Sequence, residues 1–229
     1  MKKICVITGS RSEYGLLKNL ISKIQKSKKL QLQLMVTGSH LSKEFGNTID
    51  YIKKDNFFIN KKFKILCKLN NEHGISQAMS LAVSKFSSCY SRLNPDLILI
   101  LGDRYEIFSS AIAALFHKIP IAHLHGGERS EGAYDDSMRH SITKLSHLHF
   151  VSAQIYKKRV IQMGENPKKV FFTGSVGVSS IKKLHFLSKK QLENKLNIKF
   201  CNKNLFIIFH PATLEDRTYK VQMNEIVNS

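Results

Sequence analysis

Short, unbroken aliphatic runs separated by helix-length amphipathic stretches constrain this chain more than any other feature. Residues 97–101 read Leu-Ile-Leu-Ile-Leu, with no polar alternation, the pattern of a strand covered on both faces. Similar runs occur at 4–8, 32–36, 63–67, 121–125, 148–151 and 170–173. Between them the spacing predicts helices over 14–26, 47–53, 75–93, 106–116, 136–146, 154–163 and 178–184. Strands joined through helices run parallel, so the expected fold class is α/β, a doubly wound parallel sheet.

The pattern changes after residue 187. Residues 188–203 are polar and lysine-rich, with a short helix expected over 190–196. A buried strand is expected at 205–209, then His210-Pro211 and a helix from about Leu214. At roughly 150 residues per domain, 229 residues make about one and a half. A strand and part of a helix cannot bury their own faces. The expectation is an α/β domain over 1–187 and, over 188–229, a linker with the incomplete start of a second domain.

The composition is that of an ordinary globular chain, 42% hydrophobic and 23% charged. No apolar run approaches the ~20 residues of a membrane helix, and the apolar start stops at Gly9-Ser10-Arg11, too early for a signal peptide. Membrane insertion is not expected. Cys5, Cys67, Cys89 and Cys201 form no C-x-x-C and no zinc spacing, so they read as core hydrophobes of a cytoplasmic protein, with no metal. The 36 Lys+Arg against 17 Asp+Glu give a net charge of +19. The basic residues are scattered and not interleaved with aromatics, so nucleic acid is not the expected partner.

In open α/β sheets ligands bind beyond the carboxyl ends of the strands. Those ends carry Gly9-Ser10-Arg11-Ser12-Glu13-Tyr14-Gly15, Thr37-Gly38-Ser39-His40, Gly102-Asp103-Arg104-Tyr105-Glu106, His125-Gly126-Gly127-Glu128 leading to Asp135-Asp136 and Arg139-His140, and Gly174-Ser175. Each has a plainer reading: Asp103 as a helix cap, Asp135 and Asp136 as carboxylates complementing a helix dipole, His147 and His149 as structural. Together they gather acid, base and anion-binding groups around one crevice. Neither a Walker loop nor G-x-G-x-x-G is present, which disfavours nicotinamide, flavin and P-loop chemistry. Ser141-x-x-Lys144 falls in mid-helix and is set aside.

The runs 102–106 (Gly-Asp-Arg-Tyr-Glu), 119–128 (Ile-Pro-Ile-Ala-His-Leu-His-Gly-Gly-Glu) and 132–149, with 8–15, 156–165, 174–175 and 209–213, resemble the hydrolysing UDP-N-acetylglucosamine 2-epimerases of sialic acid biosynthesis. The resemblance implies a two-domain, glycosyltransferase-B-like fold longer than this chain, a UDP-sugar substrate, no cofactor, and a homo-oligomer when full length. It implies conversion of UDP-N-acetylglucosamine and water to N-acetylmannosamine and UDP, by elimination of UDP and hydration of a glycal. The same chemistry on a UDP-2,4-diacetamido-6-deoxy sugar and a non-catalytic sugar-nucleotide binder are the alternatives.

Carried over by position, the resemblance implies catalytic carboxylates at Asp103, Asp135 and Asp136. It places the UDP-side arginine at Arg11, with Arg104 a further candidate, and a histidine near the diphosphate at His210. Gly15, His40 and Ser175, at the strand ends, complete the candidate substrate contacts. Several relatives carry Glu where this chain has His125. Either His125 moves the proton, or Glu128 or Asp135 supplies the carboxylate. The chain alone is expected to be inactive or nearly so.

Overall fold

The structure, a computed structural model, describes residues 1–66, 71–181, 184–209 and 219–228. Its centre is a seven-stranded, wholly parallel sheet built from β1 (Lys2–Thr8), β2 (Leu30–Val36), β3 (Lys61–Lys62), β4 (Leu97–Leu101), β5 (Ile121–Leu124), β6 (Leu148–Val151) and β7 (Val170–Phe172), in the order β3-β2-β1-β4-β5-β6-β7. The order reverses between β1 and β4, where a crevice opens at the strand ends.

Helices α1 (Arg11–Lys26), α2 (Ile49–Lys54), α3 (Glu72–Leu93), α4 (Tyr105–Phe116), α5 (Tyr134–Leu145), α6 (Gln154–Gln162) and α7 (Val176–Ile181) connect or follow the strands. Alternate residues of β1 and β4 point into two separate cores. Cys5, Ile7, Ile98 and Ile100 pack with Phe86, Tyr90 and Ile107 of α3 and α4, whereas Ile4, Val6, Leu99 and Leu101 pack with Leu17, Ile21 and Ile52 of α1 and α2. Burial on both faces explains the unbroken aliphatic runs, and the doubly wound class is realised.

Local chemistry sets the helix ends. At the start of α1, Ser10 Oγ accepts from Glu13 N (3.4 Å) while the Glu13 carboxylate accepts from Ser10 N (3.2 Å), a reciprocal cap. Asn94 ends α3 in the left-handed region (φ 44°), which asparagine tolerates.

Two expected strands are not formed. For the first, 63–67, the ladder with β2 covers Lys61–Lys62 and ends as Phe63 N donates to the Val36 carbonyl (3.3 Å), after which the chain leaves the sheet edge. Phe63 turns instead onto the Phe86 ring, 5.0 Å away, and Ile65 is buried; Cys67 lies outside the described residues. At 205–209 the chain is not a strand, because no strand lies beside it among the described residues. Leu205 and Phe206 are 87% and 84% exposed.

Helices α8 (Lys189–Leu196) and α9 (Tyr219–Asn228) complete the described elements, and the helix start expected near Leu214 lies outside them. The cysteines are not uniformly core residues: Cys5 is buried, Cys89 half-buried and Cys201 exposed on the polar segment that follows α8. Among the described residues no helix is long and apolar enough to cross a membrane.

Candidate functional site

The loops after β1 and β4 meet at the reversal of strand order. Arg104, the residue before α4, directs its Nε to Glu106 Oε1 (2.7 Å), with Glu13 Oε1 at 3.9 Å. Glu106 is fully buried and Glu13 nearly so, whereas the Arg104 side chain is 40% exposed. The carboxylates occupy space that only glycine leaves. A Cβ on Gly9 would stand 2.4 Å from Glu106 Cγ, and one on Gly38 (φ +60°) 2.6 Å from the Gly9 carbonyl oxygen.

Burial, reinforced by the neighbouring Glu106 charge, raises the Glu13 pKa to about 8, against the hydrogen bond from Gly9 N (2.6 Å). Burial disfavours the charge on Arg104, but Glu106 and Glu13 outweigh it and its pKa is raised.

Asp103 does not cap α4. Its carboxylate is ion-paired to Arg139, which also donates to Ser130 Oγ (3.0 Å). Burial lowers the Arg139 pKa, and its Nε and Nη1 are buried without hydrogen-bond partners. Asp135 stands one helical turn before Arg139 on the same face of α5. It lines a hollow of about 390 Å³ with Arg104, Tyr105, Tyr134, Glu72 and Met138. A second hollow of about 710 Å³, walled by Ser39, Phe45, Lys64 and Leu66, also ends on Arg104 and Tyr105. Asp136 accepts from Ser130 N (2.9 Å), so it fastens the loop before α5.

His125 adopts the left-handed conformation (φ 63°), which histidine visits more readily than most residues. Its Nδ1 lies 3.0 Å from Glu128 Oε1, which also accepts from Ser152 Oγ at 2.5 Å. A carboxylate only accepts, so the proton of a neutral imidazole sits on Nδ1, and Nε2, buried and without a hydrogen-bond partner, carries the lone pair. Burial raises and the His125 contact lowers the Glu128 pKa, with a net lowering. The loop is held from beneath: a Cβ on Gly127 (φ +78°) would stand 2.7 Å from Val160 Cγ2 and 2.8 Å from the Tyr156 carbonyl oxygen, and Arg159 donates to the Gly127 carbonyl.

The remaining candidates fall at different depths. Arg11 opens α1 and lies over the Tyr51 ring at 5.1 Å. Gly15 is exposed, and a Cβ there would meet nothing within 4 Å. Ser175 Oγ accepts from Gly177 N (3.2 Å) at the start of α7.

His40 is wholly buried, its ring nitrogens 3.0 Å from Thr8 Oγ1 and 2.8 Å from Thr48 Oγ1, so none is left for a substrate. Burial lowers its pKa to about 4. His210 lies outside the described residues.

Ser141 and Lys144 are turned to a backbone carbonyl and to Glu165. His149 pairs with Glu165 (3.1 Å), and His123 Nε2 with the Gly102 carbonyl (2.7 Å). Sequence reading did not single out Glu13, Glu106 and Arg139 as site residues. For Arg139 a signal existed, the four-residue spacing from Asp135 that puts both on one helix face.

Residues 22–229 match the family described as UDP-N-acetylglucosamine 2-epimerase. The chain is 46% identical over 226 residues to the GDP/UDP-N,N'-diacetylbacillosamine 2-epimerase (hydrolyzing) of Campylobacter jejuni, covering 99% of this chain and 59% of that protein. It is 42% identical to the polysialic acid biosynthesis protein P7 of Escherichia coli, covering 100% of this chain and 58% of that one. The chain thus spans just under three fifths of the length of these two curated relatives.

Among solved structures, the UDP-N-acetylglucosamine 2-epimerase of Rickettsia bellii superposes with a TM-score of 0.71 at 22% identity, covering 87% of this chain and 52% of that one. The Neisseria meningitidis UDP-GlcNAc 2-epimerase bound to UDP-GlcNAc gives 0.68 at 20% identity, with 86% and 52% covered. These two show the shared fold.

Proposed function

The chain belongs to the UDP-N-acetylglucosamine 2-epimerase family, and on that premise we propose that it forms the sugar-side half of a hydrolysing 2-epimerase acting on a UDP-activated N-acetylhexosamine. The observation that carries this reading is that Arg104 and Asp135 line one hollow, while Asp103, next to Arg104 in the chain, is ion-paired to Arg139 one helical turn from Asp135. Elimination of UDP needs a base at carbon 2, because that proton is only weakly acidic. Its departure forms the C1–C2 double bond as the C1–O bond to UDP breaks. Asp103 and Asp135 supply carboxylates that also steady the oxocarbenium-like charge at C1. Arg104 receives the leaving pyrophosphate.

Hydration then adds hydroxyl at C1 and a proton at C2 from the opposite face. His125 Nε2 is the candidate for one of these proton transfers, its tautomer fixed by Glu128 and Ser152. Residues 188–229 are assigned to a linker and the opening of a second, nucleotide-side domain. The exposed apolar run 205–208 supports this, because such a run calls for a sheet to join.

UDP-N-acetylglucosamine is the first substrate to assay. The 46% identity to an enzyme named for diacetylbacillosamine favours a second reading, in which the sugar is a 2,4-diacetamido-6-deoxy hexose. The test is UDP release from each sugar nucleotide in deuterated water by the whole epimerase of which this chain is the proposed sugar-side half. Release with deuterium at carbon 2 of the sugar is expected, and the better substrate decides between the two. Binding of UDP without turnover of either sugar would favour a sugar-nucleotide binder.

A further inference from the structure

Glu106 and Glu13 are two buried carboxyl groups for which the reaction above has no chemical task. They lie under Gly9 and Gly38, where any larger residue would displace Glu106 or press on the Gly9 backbone. Both face one cation, Arg104, from its Nε side: Glu106 Oε1 accepts from Nε at 2.7 Å, and Glu13 Oε1 stands 3.9 Å from the same nitrogen. Among the described residues Arg104 has no hydrogen bond through Nη1 or Nη2, and it lines both hollows. A guanidinium held by one edge offers the other as a planar, two-pronged donor to phosphate oxygens.

We propose that Glu106 and Glu13 are positioning residues, a buried carboxyl pair that fixes Arg104 so that its free edge grips the pyrophosphate of the sugar nucleotide. This rests on the sugar-nucleotide reading and deepens it. Two carboxylates against one guanidinium leave a surplus negative charge next to a diphosphate. The surplus disappears when Glu13 carries a proton, as its raised pKa of about 8 allows at neutral pH. The other charged or titratable groups facing the pair are Arg104 itself, Tyr105 and the buried His40, which is engaged by Thr8 and Thr48. UDP binding should therefore weaken as pH rises through about 8 and Glu13 ionises.

The test is UDP affinity by calorimetry, together with KM and kcat, for the whole epimerase as wild type, Glu106→Gln, Glu13→Gln and Arg104→Lys, with a melting curve for each. Glu106→Gln is expected to weaken UDP roughly tenfold, the loss of one charge-assisted hydrogen bond, and to raise KM more than it lowers kcat. Arg104→Lys should do the same, and combining the two should add little. In Glu13→Gln, affinity should match the wild type near pH 6, and the alkaline loss should vanish. UDP affinity within twofold of wild type in a folded Glu106→Gln protein would overturn the proposal. So would an alkaline loss that persists in Glu13→Gln, which decides the matter if Glu106→Gln does not fold.

Wild type that binds UDP but turns over no sugar nucleotide would end the epimerase reading and leave this one standing. Wild type that does not bind UDP would end this one too.

Discussion

The Asp103 carboxylate at the end of β4 is ion-paired to the Arg139 guanidinium in the second turn of α5. Both side chains are largely buried, so the pair ties the strand-end loop to the helix that carries Asp135. Removing one partner from such a pair strands the other charge. Arg139→Gln is expected to cost about 3 kcal/mol of stability, read from urea unfolding. Adding Asp103→Asn to it should recover part of that loss, because the stranded carboxylate is gone.

Asp103→Asn alone keeps the side chain's size but strands Arg139, so its activity is read under conditions where a melting curve shows it folded. UDP release should fall by roughly a hundred- to ten-thousandfold, the range for loss of a positioned acid or base. A fall of less than about tenfold in steady-state turnover would remove Asp103 from the proton-transfer step.

Glu128→Gln leaves His125 without the acceptor that fixes its tautomer. Turnover should drop about tenfold or more, while UDP affinity stays near wild type, because Glu128 is bonded to His125 and Ser152 and not to Arg104. A parallel loss of UDP binding would show that Glu128 serves the nucleotide instead.

The pH dependence of stability carries a separate sign. The Glu13 pKa is raised on folding to about 8, so its favourable contribution is complete below the unfolded carboxyl pKa and is lost as pH climbs through about 8. Glu13→Gln should therefore gain on the wild type in melting temperature between pH 5 and pH 9. An unchanged difference across that window would mean the carboxyl is not held protonated.

Gly9→Ala forces a methyl to within 2.4 Å of Glu106 Cγ in a site with no slack. Overpacking of this kind costs about 1–3 kcal/mol. Displacing Glu106 should also loosen Arg104, so UDP affinity should fall alongside the melting temperature.

The sheet was legible in the sequence because its strands are buried on both faces. The runs 97–101 and 148–151 need no register information to be recognised, and they coincide with β4 and β6. The two failures have one cause. Residues 63–67 and 205–209 are as aliphatic as the true strands, but apolar content states a need for cover and not its source. Phe63 and Ile65 find cover on α3 and in the core, while 205–208 find none among the described residues.

The site divides similarly. Asp103 and Arg104 stand out as candidates because strand ends are where parallel sheets place ligands. His40 occupies the same kind of position, yet Thr8 at the end of β1 and Thr48 just before α2 claim both its nitrogens. Glu13 stands in the first strand-end run, and in the structure it closes the reciprocal cap of α1. That it also shares the partly exposed Arg104 with Glu106 depends on β1 and β4 lying side by side, a pairing across more than ninety residues of chain that no local pattern encodes.

Gly127 packs directly against the backbone of α6, and Arg159 of that helix grips its carbonyl. The segment bearing His125 and Glu128 is thereby riveted to a neighbouring rod, its imidazole preset before any sugar arrives. The His125 segment is thus a fixed anvil among the strand-end loops, its backbone set by a helix rather than by whatever it meets.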